Sequence, residues 1–139
     1  MLDRSVSHAS EVEQYNADLV FEGIVACSKA ALAAGVPVAL GNDVGCPWIT
    51  QYDFWRELVY FCKFIGASEA FALHSATLVN AQVAGIGELT GSLEVGKHAD
   101  MIVTTKNPLE DLSTLRAVKH VVRDGVFIAS DRMSNERPW

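Results

Sequence analysis

Asp43 is the residue whose type and setting point most directly to chemistry. It ends the stretch Gly35-Val-Pro-Val-Ala-Leu-Gly-Asn-Asp43-Val-Gly45, an apolar run that stops at an acid inside a turn. An acid at the carboxyl end of a buried strand sits where α/β sheets and barrels keep their reactive groups. There it can ligate a metal or take a proton from water. The same Asn-Asp-x-Gly sequence also builds an ordinary turn whose side chain bonds its own backbone. Cys46 and Trp48 follow in the next loop. Cys46 has no base beside it, so an idle thiol competes with a pocket-facing one. Trp48 either lines a pocket or staples the following helix. His8, His74, His98 and His120 show neither the i, i+2 nor the i, i+4 spacing of a metal pair, and each reads as structural or solvated. Cys27, Cys46 and Cys62 are odd in number and widely spaced, which fits reduced thiols in a cytoplasmic protein. Gly85-x-Gly87-x-x-x-Gly91 has a residue too many for a dinucleotide fingerprint, and neither Ser28 nor Ser75 sits in a Gly-x-Ser-x-Gly elbow.

The elements that must position these residues are legible from periodicity. Ser10 with Glu13 is a capping box, and Val12, Tyr15, Leu19, Val20, Ile24, Val25 and Leu32 recur at helical spacing until Gly35. Residues 36–40 are apolar at every position, the pattern of a strand buried on both faces, with Pro37 near its start. Thr50 with Asp53 is a second capping box. It opens a helix through Phe54, Leu58, Phe61, Cys62 and Ile65 that Gly66 closes. Ser68 opens a third helix through Phe71 and Leu73, with a restart or kink at Thr77, then Val79 and Val83. Past Gly87 the pattern turns to β. A brief segment spans 93–95, Gly96-Lys97-His98 turns, a strand covers 101–105, and Asn107-Pro108 breaks it before a helical turn over 109–115. Val118, His120 and Val122 then alternate up to Asp124-Gly125, a hairpin turn of the primed type, and the chain returns over 126–129. Residues 1–9 and those after Ser130 read as tails. The domain boundary falls near Gly87, giving parts 1–87 and 88–139.

Composition bounds the function. The 139 residues are half apolar and 20% charged, as in a globular protein of one domain or parts of two. The net charge of −6, with no basic cluster, argues against nucleic acid or an anionic membrane surface as a partner. No apolar run approaches the roughly 20 residues a spanning helix needs. The start, Met-Leu-Asp-Arg-Ser-Val-Ser-His, has no apolar core, so no signal peptide is expected.

Five motifs, in order over residues 35–125, carry a resemblance. Gly35-Val-Pro-Val-Ala-Leu-Gly-Asn-Asp43 resembles the last barrel strand of metal-dependent amidohydrolases, with Asn42 in place of their threonine. Ala67-Ser-Glu-Ala-Phe-Ala-Leu-His-Ser-Ala-Thr77, then Asn80-Ala81 and Gly85, resembles the helix after it. Gly91-Ser-Leu-Glu-Val-Gly-Lys-His-Ala-Asp100, Asn107-Pro-Leu-Glu-Asp-Leu112 and Val122-Arg-Asp-Gly125 resemble the motifs of the small β domain. The nearest subgroup is the imidazolonepropionase and Xaa-Pro dipeptidase-like one. Family members are roughly three times this length, a barrel followed by a β-sandwich. Their His-x-His pair, bridging lysine and two later histidines all precede the last strand, and this sequence has none of them.

The resemblance therefore implies an α/β chain, the C-terminal third of such an enzyme. Residues 1–87 would be the last helix–strand–helix part of a (β/α)8 barrel. Residues 88–139 would be the C-terminal share of a composite β-sandwich. It implies hydrolysis of a C–N amide bond in a small cyclic amide or dipeptide, by a water that a divalent metal, zinc by expectation, activates toward a pKa of about 7. Asp43 is implied as metal ligand and general base, with Cys46 and Trp48 as substrate-lining. One carboxylate cannot hold a catalytic zinc, which takes about three protein ligands. The chain alone is thus expected to bind no metal tightly and to be inactive. The expected partner is the N-terminal part of the same enzyme, or a second copy. The competing reading is a non-catalytic assembly module that binds through open strand edges.

Overall fold

The computed structural model describes residues 10–45, 49 and 51–128. The chain divides into two units, Met1–Val36 and Pro37–Trp139. In the first, α1 (Glu11–Ala33) begins at the expected capping box. Ser10 Oγ accepts from the Glu13 N–H at 3.3 Å, and the Glu13 carboxylate accepts from the Ser10 N–H at 2.7 Å. The backbone bond from Ser10, ahead of its hydroxyl, holds the Glu13 carboxyl below its ordinary value. Gly35, at φ +72°, ends the helix, with Gly35 N–H donating to Leu32 and Val36 N–H to Ala31. None of the α1 residues is buried, the periodic apolar ones included.

The second unit opens with the apolar run. Among the described residues it pairs with no strand ladder, and Val38 and Leu40 are half-buried while Ala39 is exposed. This corrects the expectation of a strand covered on both faces. An all-apolar run becomes a ladder only where a neighbour offers amides, and β1, β2 and β3 pair elsewhere. The proposed second capping box falls partly outside the described residues, at Thr50.

A short turn (Gln51–Asp53) leads into α2 (Trp55–Tyr60), which continues as a π-helical turn (Phe61–Ile65) and ends at left-handed Gly66, φ +87°. Ser68 then caps α3 (Glu69–His74), its hydroxyl accepting from the Phe71 N–H at 3.2 Å. α3 runs through a second π turn (Ser75–Val79) into α4 (Asn80–Val83). The irregularity expected at Thr77 is this π turn. Thr77 Oγ1 bonds back to the Leu73 carbonyl at 2.7 Å, a competitor for the helical ladder.

The core of the unit is Leu58, Phe61, Ala72, Ser75, Val79, Ala81 and Leu112, where α2, α3, α4 and a 3-10 turn (Leu112–Arg116) meet. Phe61 and Phe71 stack with ring centroids 6.0 Å apart. The helical turn expected over 109–115 thus forms three residues later and tighter, started by Asp111 accepting from the Ser113 N–H at 2.9 Å.

The β part is a three-stranded antiparallel sheet, β1 (Met101–Thr104), β2 (Val118–Arg123) and β3 (Val126–Ile128), in that order. Val103 faces His120 and Thr104 faces Val118, which leaves Lys119 as a bulge. Asp124 and Gly125 lie at φ +50° and +76°, the primed hairpin expected from their identities. The brief strand expected at 93–95 is absent, and Leu93 and Val95 are exposed. The result is a mixed helix-and-strand fold. Among the described residues no helix is long and apolar enough to cross a membrane.

Candidate functional site

Asp43 lies at the end of the extended run, exposed and at φ +51°. A left-handed conformation is uncommon for a residue with a Cβ, although Asp tolerates it better than most.

At Leu40 a side chain holds that run. Asn80, the first residue of α4, reaches the backbone of Leu40 with both ends of its amide. Its Oδ1 accepts from the Leu40 N–H at 2.8 Å, and its Nδ2 donates to the Leu40 carbonyl at 2.9 Å. In the sequence Asn80 stands out only as part of the Asn80-Ala81 motif. The local signal is an amide set between two apolar residues, Val79 and Ala81, which the structure buries. A polar amide on such a face needs a partner.

The other candidates are dispersed. Cys46 and Trp48 lie outside the described residues. His74 lies against Phe71, His98 against Asp124, and His120 against Phe127, whose ring is 4.9 Å away. Cys27 is exposed. Burial, and then the charge of Glu69, pushes the Cys62 thiol up, opposite to the shift a nucleophile needs. Ser75 is fully buried, with its hydroxyl unpaired. A cleft of ≈ 420 Å³ is lined by Cys62, Lys63, Glu69, Glu110 and Asp111, among others, and Asp43 is not in its wall. No group of three His, Cys, Asp or Glu residues among those described could hold a metal. The described residues therefore offer no group of three metal donors, around Asp43 or elsewhere.

The polar motif 91–100 turns out to build a turn. Lys97 Nζ donates to the Gly87 carbonyl and to Ser92 Oγ, both at 2.7 Å. Asp100 accepts from the Asp124 N–H at 2.8 Å and from Thr90 Oγ1 at 3.2 Å, with Arg123 Nε 3.5 Å away. The Asp124 amide first, then Thr90, Arg123 and His98, hold its carboxyl below the ordinary value despite some desolvation.

Comparison with known proteins fits this geometry into a wider group. A family model described as "Amidohydrolase family" matches residues 11–128. An imidazolonepropionase of Geobacillus kaustophilus is 28% identical over 107 residues, which is 75% of this chain and 25% of that protein. The crystal structure of a candidate prolidase from Bifidobacterium longum superimposes with a TM-score of 0.84 at 38% identity, over 91% of this chain and 31% of that one. A Xaa-Pro dipeptidase with methionine bound in its active site gives a TM-score of 0.71 at 33% identity, over 86% of this chain and 29% of its own. The chain thus spans less than a third of the length of each of these relatives.

Proposed function

Because the chain belongs to the amidohydrolase family, we propose that it forms the C-terminal part of an enzyme that hydrolyses a C–N amide bond in a small cyclic amide or a dipeptide. The observation that carries this reading is Asp43, exposed at the end of the apolar run in the stretch that resembles the family's last barrel strand. In the complete enzyme Asp43 accepts a proton from the attacking water. The resulting hydroxide adds to the carbonyl carbon, the C–N bond breaks, and the proton leaves on the amine nitrogen. Cys46 and Trp48, which follow Asp43 in the sequence, are the proposed substrate wall. The family resemblance implies a divalent metal, zinc by expectation. Since the described residues do not complete a site for it, its other ligands belong to the rest of the enzyme, and the isolated chain should bind none tightly. Equilibrium dialysis with zinc tests that last point, and stoichiometric tight binding would overturn it. In the complete enzyme, Asp43→Asn keeps the shape and removes the base. A kcat lower by about 10²–10⁴ is expected, and turnover within a few-fold of the parent would sink the assignment.

A second reading is supported by the sheet edges. Among the described residues β1 and β3 each pair on one side alone, and Ile102, Val103, Val126 and Phe127 are exposed. Open apolar edges recruit another chain. Either the upstream part of the same enzyme or a second copy would serve, and as a non-catalytic module the chain would do nothing more. An upstream reading frame carrying His-x-His separates the two readings. Sedimentation of the isolated chain adds a check, because a cooperatively melting 15.1 kDa monomer would remove the need for any partner.

A further inference from the structure

We infer that Asn80 is a positioning residue for Asp43. Its amide takes the place of a neighbouring strand at Leu40 and so fixes the strand end that carries the carboxylate. The inference rests on the reading of Asp43 as the base.

The geometry is specific. A residue in extended chain turns its N–H and C=O to the same edge, where a neighbouring strand ordinarily meets both. The Asn80 side chain presents one acceptor and one donor, and both are used on Leu40, at 2.8 and 2.9 Å. One bond would fix a distance. Two bonds from a planar amide also fix the direction of the run. Leu40 is three residues before Asp43, so a rotation of the backbone at Leu40 swings the carboxylate directly.

The anchor is itself held. Asn80 follows the π turn Ser75–Val79, and its neighbours Val79 and Ala81 are 8% and 7% exposed. Gly91 closes on this helix so tightly that a Cβ there would stand 2.7 Å from Ala81 Cβ and 3.0 Å from the Thr77 carbonyl oxygen. A purely packing role at position 80 would be met better by an apolar side chain, which would not need to satisfy an amide at a half-buried place. The bidentate bond is what distinguishes asparagine here.

The test uses the complete enzyme and compares Asn80→Ala, Asn80→Gln and Asn80→Asp with Asp43→Asn. For Asn80→Ala the expected result is a kcat about 10² lower with KM within a few-fold, since displacements of about 1 Å at a catalytic group cost that much. The acid limb of the kcat–pH profile should shift, and the Leu40 amide should exchange faster with solvent. Asn80→Asp keeps an acceptor for the Leu40 N–H and should lie between parent and Asn80→Ala in exchange and in kcat. Asn80→Gln keeps the amide but misplaces it by one methylene. It serves if Asn80→Ala does not fold, and it should also lose kcat. Faster Leu40 exchange with kcat and pH profile unchanged would overturn the inference and leave Asn80 a structural residue. Unchanged Leu40 exchange in a folded Asn80→Ala variant would overturn it as well. Normal turnover by Asp43→Asn would instead bring down the functional reading, a separate failure visible without any change at Asn80.

Discussion

Two stretches of extended chain in the second unit hold their backbones by opposite means. β1, β2 and β3 satisfy one another through ladders, and the hairpin turn that joins β2 and β3 is clamped from outside by Asp100 and by the Gly125 N–H donating to the Ala99 carbonyl at 3.1 Å. Residues 37–43 have no ladder among the described residues and are held at Leu40 by one side chain. Yet the run over 36–40 is the more apolar of the two and, by pattern alone, the better strand. Apolarity records what a segment is suited to lie against. Whether it joins a sheet depends on which amides come alongside, and the hairpin brings its own within a few residues.

The largest effect is expected from crowding the close approach that seats the β part's leading turn on the helix. Gly91→Ala would place a Cβ inside contact distance of Ala81, Leu78 and Thr77 at φ +95°. A loss of about 2–4 kcal/mol in denaturant unfolding is expected from overpacking and backbone strain together. A loss under about 0.5 kcal/mol would mean that the two elements are not wedged. Asn80→Ala should be smaller, about 1–2 kcal/mol, for two hydrogen bonds at a half-buried site. Its effect should be local, with faster exchange around Leu40 and unchanged exchange in β2. Equal acceleration in both would mean that the run and the sheet are not held independently. Gly125→Ala meets only Ala99 Cβ, at an ordinary 3.9 Å, so conformational strain at φ +76° is left as its cost. That should come to about 1 kcal/mol.

The smallest effect is one of pH. The Asp100 carboxyl is held below its ordinary 3.8 in the folded protein. A depressed folded value stabilises the fold above the unfolded value, and that contribution disappears as pH falls through the folded one. Asp100→Asn should therefore flatten part of the stability loss below about pH 4 and leave the slope between pH 5 and pH 7 unchanged, as read by thermal melts across that range. A changed slope at neutral pH would point to another group.

Legibility followed the range of the interactions. Ser10 with Glu13, Ser68, Gly66 and Asp124-Gly125 were readable because each feature is settled within about four residues, by a cap or a positive φ. That the chain mixes helix with strand was readable from the same features. The Asn80–Leu40 bond joins residues 40 apart, and no periodicity announces such a pair. The pattern over 109–115 suggests a helix from Leu109 onward, whereas the Asp111 side chain, accepting from the Ser113 N–H, starts the turn at Leu112. Of the candidate site, Asp43 ends an apolar run that forms no ladder among the described residues, and no local pattern announces its left-handed backbone or the anchor at Leu40.

The π turn before Asn80 carries a consequence for insertions and deletions. A π turn houses one residue more than an α turn, and each residue of an α-helix advances the side-chain direction by about 100°. If the sequence from Glu69 to Val83 were wound as an unbroken α-helix, Asn80 would point about 100° away from the face it now shares with the residues before Ser75. The extra residue is absorbed at Ser75–Val79, and the side chains beyond it keep their phase with those before. A relative lacking one residue in this turn can be wholly α-helical and still aim its asparagine at the same strand, so a one-residue gap in aligned relatives is expected to fall between positions 75 and 79.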